Sequence, residues 1–199
     1  MTRGALILAS GSAARQQMLA QAGLQFDVVP ADVDEDLIRE RLTGSATHRD
    51  MAVALAEVKA CAVAVKYPHA TVIGADQILS FRNQVMSKPG SREGARKTLF
   101  ALQGGTHQLF SAVTVASGDR VLWRTVSTAT LAMRSLSTHD VESYLDEVGD
   151  RIFGCVGAYQ IEGPGIRLFE RIEGDHFTIM GMPLLPLLGA LREIESMSA

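Results

Sequence analysis

The stretch Ala5-Leu6-Ile7-Leu8-Ala9-Ser10-Gly11-Ser12-Ala13-Ala14-Arg15 passes from an apolar run straight into two hydroxyl side chains and a small-residue turn. An apolar run this short, ended by a turn, reads as a buried strand, Ala5 to Ala9. An amphipathic helix follows from Ser12 to Ala22, with Met18, Leu19 and Ala22 along one side and Gly23 as its stop. This order places Ser10, Ser12 and free backbone N–H groups at a helix N-terminus, with Arg15 one turn in. Unpaired donors and the positive end of the helix dipole suit such a place to a phosphate group. Ser12 serves equally well as a plain N-cap, and the stretch alone leaves both roles open.

Working outward, Phe26 to Val29 reads as a second strand, followed by an acidic loop from Asp32 to Asp36. Ala46 to Val65 is a long helix with apolar residues at Met51, Leu55, Val58, Ala62 and Val65. Thr71 to Ile73 is a strand. Extended chain resumes from Ile78 to Phe81, turns at Arg82-Asn83 and returns through Val85. Ser91 caps a helix to Leu102, in which Gly94 is a mild cost. Two long strands, Leu109 to Ala116 and Val121 to Met133, are joined by a hairpin at Ser117-Gly118-Asp119. Thr138 to Val148 is a further helix. A glycine-rich region from Gly154 to Gly165, a strand from Ile166 to Ile172, a turn at Gly174 and a helix from Pro183 to about Ser196 complete the chain. Strand-helix order at the start and helix-hairpin-helix order later predict a mixed α/β fold.

The 199 residues are enough for one large domain or for two small lobes around a shared core. A net charge of -3 argues against general binding of nucleic acid polymers, though a local pocket can still hold one triphosphate. Cys61 and Cys155 have neither zinc spacing nor a disulfide framework, which points to a reducing compartment. No signal-peptide pattern is read around Arg3, and the apolar stretch from Met180 to Leu191 is too short to span a bilayer. The expectation is a cytoplasmic protein with no membrane partner.

Chemistry is concentrated in a few polar residues. Gly74-Ala75-Asp76-Gln77 is read as the C-terminal end of an apolar strand, where ligand crevices open in α/β sheets. Asp76 there can bind Mg²⁺ or activate a water, or simply belong to a turn. Asp34 and Glu35 supply a second acidic point, with solvent-facing charge as the alternative for Asp34. Lys59 and Lys88 are candidates for phosphate oxygens, Lys88 being aimed by Pro89. His107 is either structural or near a pocket. Walker A, GxGxxG, HExxH and nucleophile-elbow patterns are all missing from the sequence.

Taken in order, these segments resemble the Maf family of nucleotide pyrophosphatases from Ala5 nearly to Arg192. The family opening, Ser-x-Ser-Pro-Arg-Arg, is matched by Ser10, Ser12 and Arg15. Asp34-Glu35, Lys59-Ala60, Gly74-Ala75-Asp76, Lys88-Pro89, Gly104 to His107, Gly157-Ala158-Tyr159 and Gly181-Met182-Pro183-Leu184 follow in the family's order. The resemblance implies an α/β fold of the Maf/ITPase type, with an extended mixed sheet, helices, and two lobes of one domain (1–199) around a central cleft. It implies cleavage of a nucleoside triphosphate between the α and β phosphates, a divalent cation (Mg²⁺ or Mn²⁺) as cofactor, and a homodimer. Asp76 would then accept the proton, and Glu35 would help it to place metal or water. Ser10, Ser12, Arg15, Lys59 and Lys88 would hold phosphate oxygens.

Three departures concern the base. Ala14 stands in place of the family's first Arg, and Ala13 in place of Pro. Gln77 stands where the dTTP/UTP-cleaving branch has Thr, and Glu162 where that branch has Gln. Gln77 and Glu162, with Gly154-Cys155 upstream, resemble the branch that acts on 7-methyl-GTP, although that branch carries a bulky aromatic at the position of Ala14. A carboxylate at Glu162 suits the N1 and exocyclic amine donors of guanine and the positive charge of a methylated ring. The expected substrate is 7-methyl-GTP or another modified nucleotide. The alternatives are dTTP/UTP cleavage or a non-catalytic nucleotide-binding regulator of septation.

Overall fold

In a computed structural model that describes residues 5–197, the opening apolar run forms β1 (Leu6–Leu8) and Ser12 caps α1 (Ala13–Gln21). Arg3 lies outside the described residues. Next come β2 (Asp27–Val28), α2 (Glu35–Leu42), α3 (His48–Ala64), β3 (Thr71–Phe81), β4 (Gln84–Met86) and α4 (Arg92–Leu102). The chain continues through β5 (Thr106–Ser117), β6 (Arg120–Met133), α5 (Thr138–Val148), β7 (Phe169–Glu173), α6 (His176–Ile179) and α7 (Leu184–Met197). The strands are ordered β2-β1-β3-β5-β6-β7, with β4 paired to β3. β1 is parallel to both β2 and β3, whereas β3–β4 and β6–β7 are antiparallel. The parallel pairs need helical crossovers, which α1, α2 and α3 supply. The mixed sheet expected from the element order is therefore present.

Three local expectations are corrected. The acidic stretch from Asp32 to Asp36 is not all loop: the Asp34 carboxylate accepts the Leu37 N–H at 2.9 Å and caps α2, with Glu35 its first residue. An Asp cap and an acidic first turn match the unpaired donors and the dipole of a helix N-terminus. β3 is one unbroken strand through Asp76, so Asp76 lies in mid-strand and not at a strand end. The segment read as a strand from Ile166 begins as a 3-10 turn, Pro164–Leu168, and becomes extended only at Phe169.

The chain divides into two compact units. One comprises residues 1–77, 111–127 and 181–199, and the other residues 78–110 and 128–180. In the first unit, small residues dominate the packing of α3 beside β1 and β3: Ala60 and Ala64 meet Ile7, Ala9 and Val72. Val63 and Ala116 belong to the same cluster. In the second unit a larger core joins Leu79, Leu99, Leu109, Leu131, Val141 and Tyr144. The β3–β4 turn has positive φ at both Arg82 and Asn83, the geometry of a two-residue hairpin. No helix among the described residues is long and apolar enough to cross a membrane.

Candidate active site

Gly74 sets the geometry of the site. A Cβ there would lie 2.3 Å from the Ala56 carbonyl oxygen and 2.5 Å from the Ala60 nitrogen, so only glycine lets α3 come this close to β3. Side chains two residues apart on a strand share a face, and Asp76 follows Gly74 by two. Lys59 shares the face of α3 that carries Ala56 and Ala60, since these residues are three or four apart or adjacent. The close approach therefore drives the Lys59 ammonium onto Asp76: its Nζ donates to Asp76 Oδ1 at 2.6 Å. The same nitrogen is 2.8 Å from Glu35 Oε1, at the start of α2. Arg39, one turn along α2, donates to Glu35 Oε2 at 2.9 Å and to Asp36.

Asp76 and Lys59 are both buried, at 4% and 7% exposure. Burying an acid in mid-strand is costly unless its charge is matched, and Lys59 matches it. The match is incomplete, because Asp76 Oδ2 is buried with no hydrogen-bond partner. An unpaired carboxylate oxygen facing a charged cluster is a free acceptor for a water proton or a cation.

Arg15 is a second hub. Its Nε donates to the Gly181 carbonyl at 2.9 Å, and its Nη1 donates to the Ala75 carbonyl at 2.9 Å and to Ser10 Oγ at 3.1 Å. One guanidinium thus ties the end of β1, the middle of β3 and the turn before α7. Burial lowers its pKa, opposed by the nearby charges of Asp76 and Glu35. Ser12 Oγ accepts the Arg15 N–H, and the Ser12 N–H donates to Ser10 Oγ, so the serine loop is ordered by its own hydroxyls. Ala14 is half-buried on α1. On the opposite face of β3 from Asp76, the Gln77 amide donates to Ser111 Oγ at 2.9 Å.

The first unit therefore brings together Ser10, Ser12, Arg15, Glu35, Lys59 and Asp76, while Gln77, in the same unit, is bonded to Ser111 on the other face of β3. Lys88 and Glu162 belong to the second unit. Both are exposed, and both act on Cys155, whose thiol pKa is raised by burial and by Glu162 and lowered by Lys88. His107 is buried, with its Nε2 2.7 Å from the Tyr159 hydroxyl, which settles it as a core residue of the second unit. A groove there contains Arg134 and Arg167, but these pair with Asp140 and Glu147. It leaves neither guanidinium uncommitted to a carboxylate.

Sequence reasoning assigned no part to Arg39, to the Gly181 carbonyl or to the close approach at Gly74. The four-residue spacing from Glu35 to Arg39 was a readable signal. The other two depend on backbone positions far apart in the chain, which no local pattern reports.

A divalent cation fits this donor set. Mg²⁺ is commonly held by one or two carboxylates together with substrate phosphates, and here Asp76 Oδ2 has no hydrogen-bond partner while Asp76 Oδ1 and Glu35 Oε1 meet at the Lys59 Nζ. Among the described residues there is no group of three or more His, Cys, Asp or Glu that could hold a metal ion.

Comparison with known proteins places the site in context. The family model described as "Maf-like protein" matches residues 5–194. A 7-methyl-GTP pyrophosphatase of Mesorhizobium japonicum is 50% identical over 190 residues, covering 95% of this chain and 96% of that one. A 7-methyl-GTP pyrophosphatase of Rhizobium meliloti is 46% identical, covering 98% of each chain. A nucleoside triphosphate pyrophosphatase of Bradyrhizobium diazoefficiens is 48% identical, covering 94% of this chain and 92% of that one. Among solved structures, a HAM1 protein from Coxiella burnetii aligns with a TM-score of 0.40 at 15% identity, over 65% of this chain and 73% of that one.

Proposed function

Because the chain belongs to the Maf family, we propose that it is a pyrophosphatase that cleaves nucleoside triphosphates between the α and β phosphates. One water is consumed, and the products are the nucleoside monophosphate and pyrophosphate. The observation that carries this reading is the buried Asp76 carboxylate, with Oδ1 held by Lys59 and Oδ2 unpartnered. A general base must reach the attacking water with a free lone pair, and Oδ2 is such an atom. In the nucleotide-free protein Lys59 fixes the rotation of that carboxylate. Cations and aligned donors stabilise the charge that develops on the phosphates. Arg15, Lys59 and the serine loop are the groups of the first unit suited to that work; the family resemblance gives Lys88 the same role.

Asp76 and Glu35 would hold the Mg²⁺ or Mn²⁺. When bound with the triphosphate, that cation neutralises phosphate charge and lowers the pKa of a bound water. Arg39 keeps Glu35 oriented through its second oxygen.

For the base, we favour 7-methyl-GTP or another modified purine nucleotide. Relatives bearing the name 7-methyl-GTP pyrophosphatase match at 46–50% identity, and Gln77 and Glu162 depart from the dTTP/UTP pattern. Glu162 would offset the charge of the methylated ring.

The test is pyrophosphate release across the common triphosphates and 7-methyl-GTP. Turnover is expected, with 7-methyl-GTP preferred, and Asp76→Asn is expected to lower kcat about a thousandfold. Full activity in Asp76→Asn would remove the assigned base. A preference for UTP or dTTP would overturn the base assignment alone. Glu162→Gln is expected to reduce kcat/KM for 7-methyl-GTP more than for GTP, and an equal loss on both would show that this carboxylate does not read the methylated ring.

A further inference from the structure

We propose that Lys59 is a resident counter-ion that keeps the Asp76–Glu35 pair from binding a divalent cation until a triphosphate draws the ammonium away. The inference rests on the pyrophosphatase reading and adds an order of events to it. The Lys59 Nζ lies 2.6 Å from Asp76 Oδ1 and 2.8 Å from Glu35 Oε1. It sits between the two carboxylates, where a bridging cation would have to go. Mg²⁺ needs carboxylate oxygens at about 2.0–2.1 Å, so an ion that bridges Asp76 Oδ1 and Glu35 Oε1 must displace the ammonium from between them.

The charge count points the same way. Arg15 is buried close enough to feel both carboxylates. Asp76 and Glu35 are matched by Lys59, by Arg15 and, at Glu35 Oε2, by Arg39, so little net charge remains to draw a strongly hydrated dication out of water. Lys59 and Arg15 differ in freedom. Arg15 is fixed by bonds to the Gly181 and Ala75 carbonyls and to Ser10 Oγ. Lys59 has a flexible four-carbon stem, and its two bonds are both to the carboxylates it would release. A triphosphate offers the ammonium a more negative partner. Once Lys59 turns to the phosphates, its charge no longer offsets those of Asp76 and Glu35, and Asp76 Oδ1 and Glu35 Oε1 lose their contact with it together. Metal then enters with the nucleotide and not before it.

The experiment is a titration of the nucleotide-free protein with Mn²⁺ alone, read by electron paramagnetic resonance of the free ion. Wild type is expected to bind weakly and Lys59→Met at least about tenfold more tightly, with the gain cancelled in a Glu35→Gln/Lys59→Met double variant. Affinities of wild type and Lys59→Met equal within about twofold would overturn the proposal. Lys59→Gln serves as a second variant in case the first fails to fold. A wild-type measurement needs neither variant: the Lys59 ammonium is followed by ¹⁵N NMR. Its signal should persist in Mg²⁺ alone and shift when a non-hydrolysable triphosphate is added. A shift with Mg²⁺ alone would also overturn the proposal. Pyrophosphate release by wild type is measured in parallel. Its absence on every nucleotide would remove the pyrophosphatase reading, while the metal titration still decides the role of Lys59.

Discussion

At the scale of single residues, His107 makes a prediction independent of catalysis. Burial holds its pKa down to about 4 from 6.5, and its Nδ1 has no hydrogen-bond partner to ease protonation. The unfolded chain therefore binds more protons than the folded one between those two values. Stability is full above pH 6.5 and falls as pH drops toward 4, by about 3 kcal/mol. Urea titrations across that range measure the slope, and His107→Gln, which keeps a polar partner for Tyr159 without a titrating ring, should flatten it. An unchanged slope would assign the acid sensitivity to other groups. Residues differ in how far their roles were legible. Asp76 could be nominated as an acid on an apolar strand, Glu35 as part of the acidic stretch from Asp32 to Asp36, and Lys59 as a cation within the long helix. Their mutual contact could not, because it depends on where α2, α3 and β3 meet. Ser12 had two readings, and its N-cap bond supports the local one without touching the other.

Elements explain why the charged cluster forms where it does. Adding a methyl group at Gly74 would push against the backbone of α3 at Ala56 and Ala60, and backbone cannot rotate aside as a side chain can. Gly74→Ala should cost about 1–3 kcal/mol in urea denaturation. It should also lower kcat by shifting α3, and with it Lys59, relative to the Asp76 strand. A variant with normal kcat would mean that helix and strand can separate without disturbing the pair. α3 was readable as a helix from its periodicity, although Val58 and Val65 of that pattern are exposed and the buried face runs through Ala52, Ala56, Ala60 and Val63. α2 was not, because none of its residues is buried and it has no stripe to read; its signals are the Asp34 cap and its charged pairs. β3 was read as interrupted because an acid in mid-strand looks like a turn. Only the lysine across from it makes that acid tolerable. Gly94, read as a mild cost in α4, instead lies where a Cβ would come within 2.1 Å of the Pro89 carbonyl oxygen.

Over the whole molecule, three of the four boundaries between the two units, 77/78, 110/111 and 127/128, fall inside β3, β5 and β6, and the fourth, 180/181, falls between α6 and α7. Each unit is thus built from separated segments, and three of the joins are uninterrupted strands. Unfolding one unit must fray strands that continue into the other, which favours a single cooperative transition. Trp123, the single tryptophan, reports on the first unit, and hydrogen exchange at Leu99 reports on the second. Their urea midpoints should coincide, and two separated midpoints would show independent units. Mixed α/β character was legible from element order; this threading was not, since it depends on strand pairing at long range. The guanidinium of Arg15 carries a consequence for biosynthesis. Its acceptors lie 5, 60 and 166 residues away in sequence. A growing chain can satisfy the first two early, but Nε has no acceptor until Gly181 has been made and brought back to the start. A product that stops short of that turn would contain every acid, lysine and serine of the cluster and still lack the tie that closes it. Premature termination should therefore yield no partly working form.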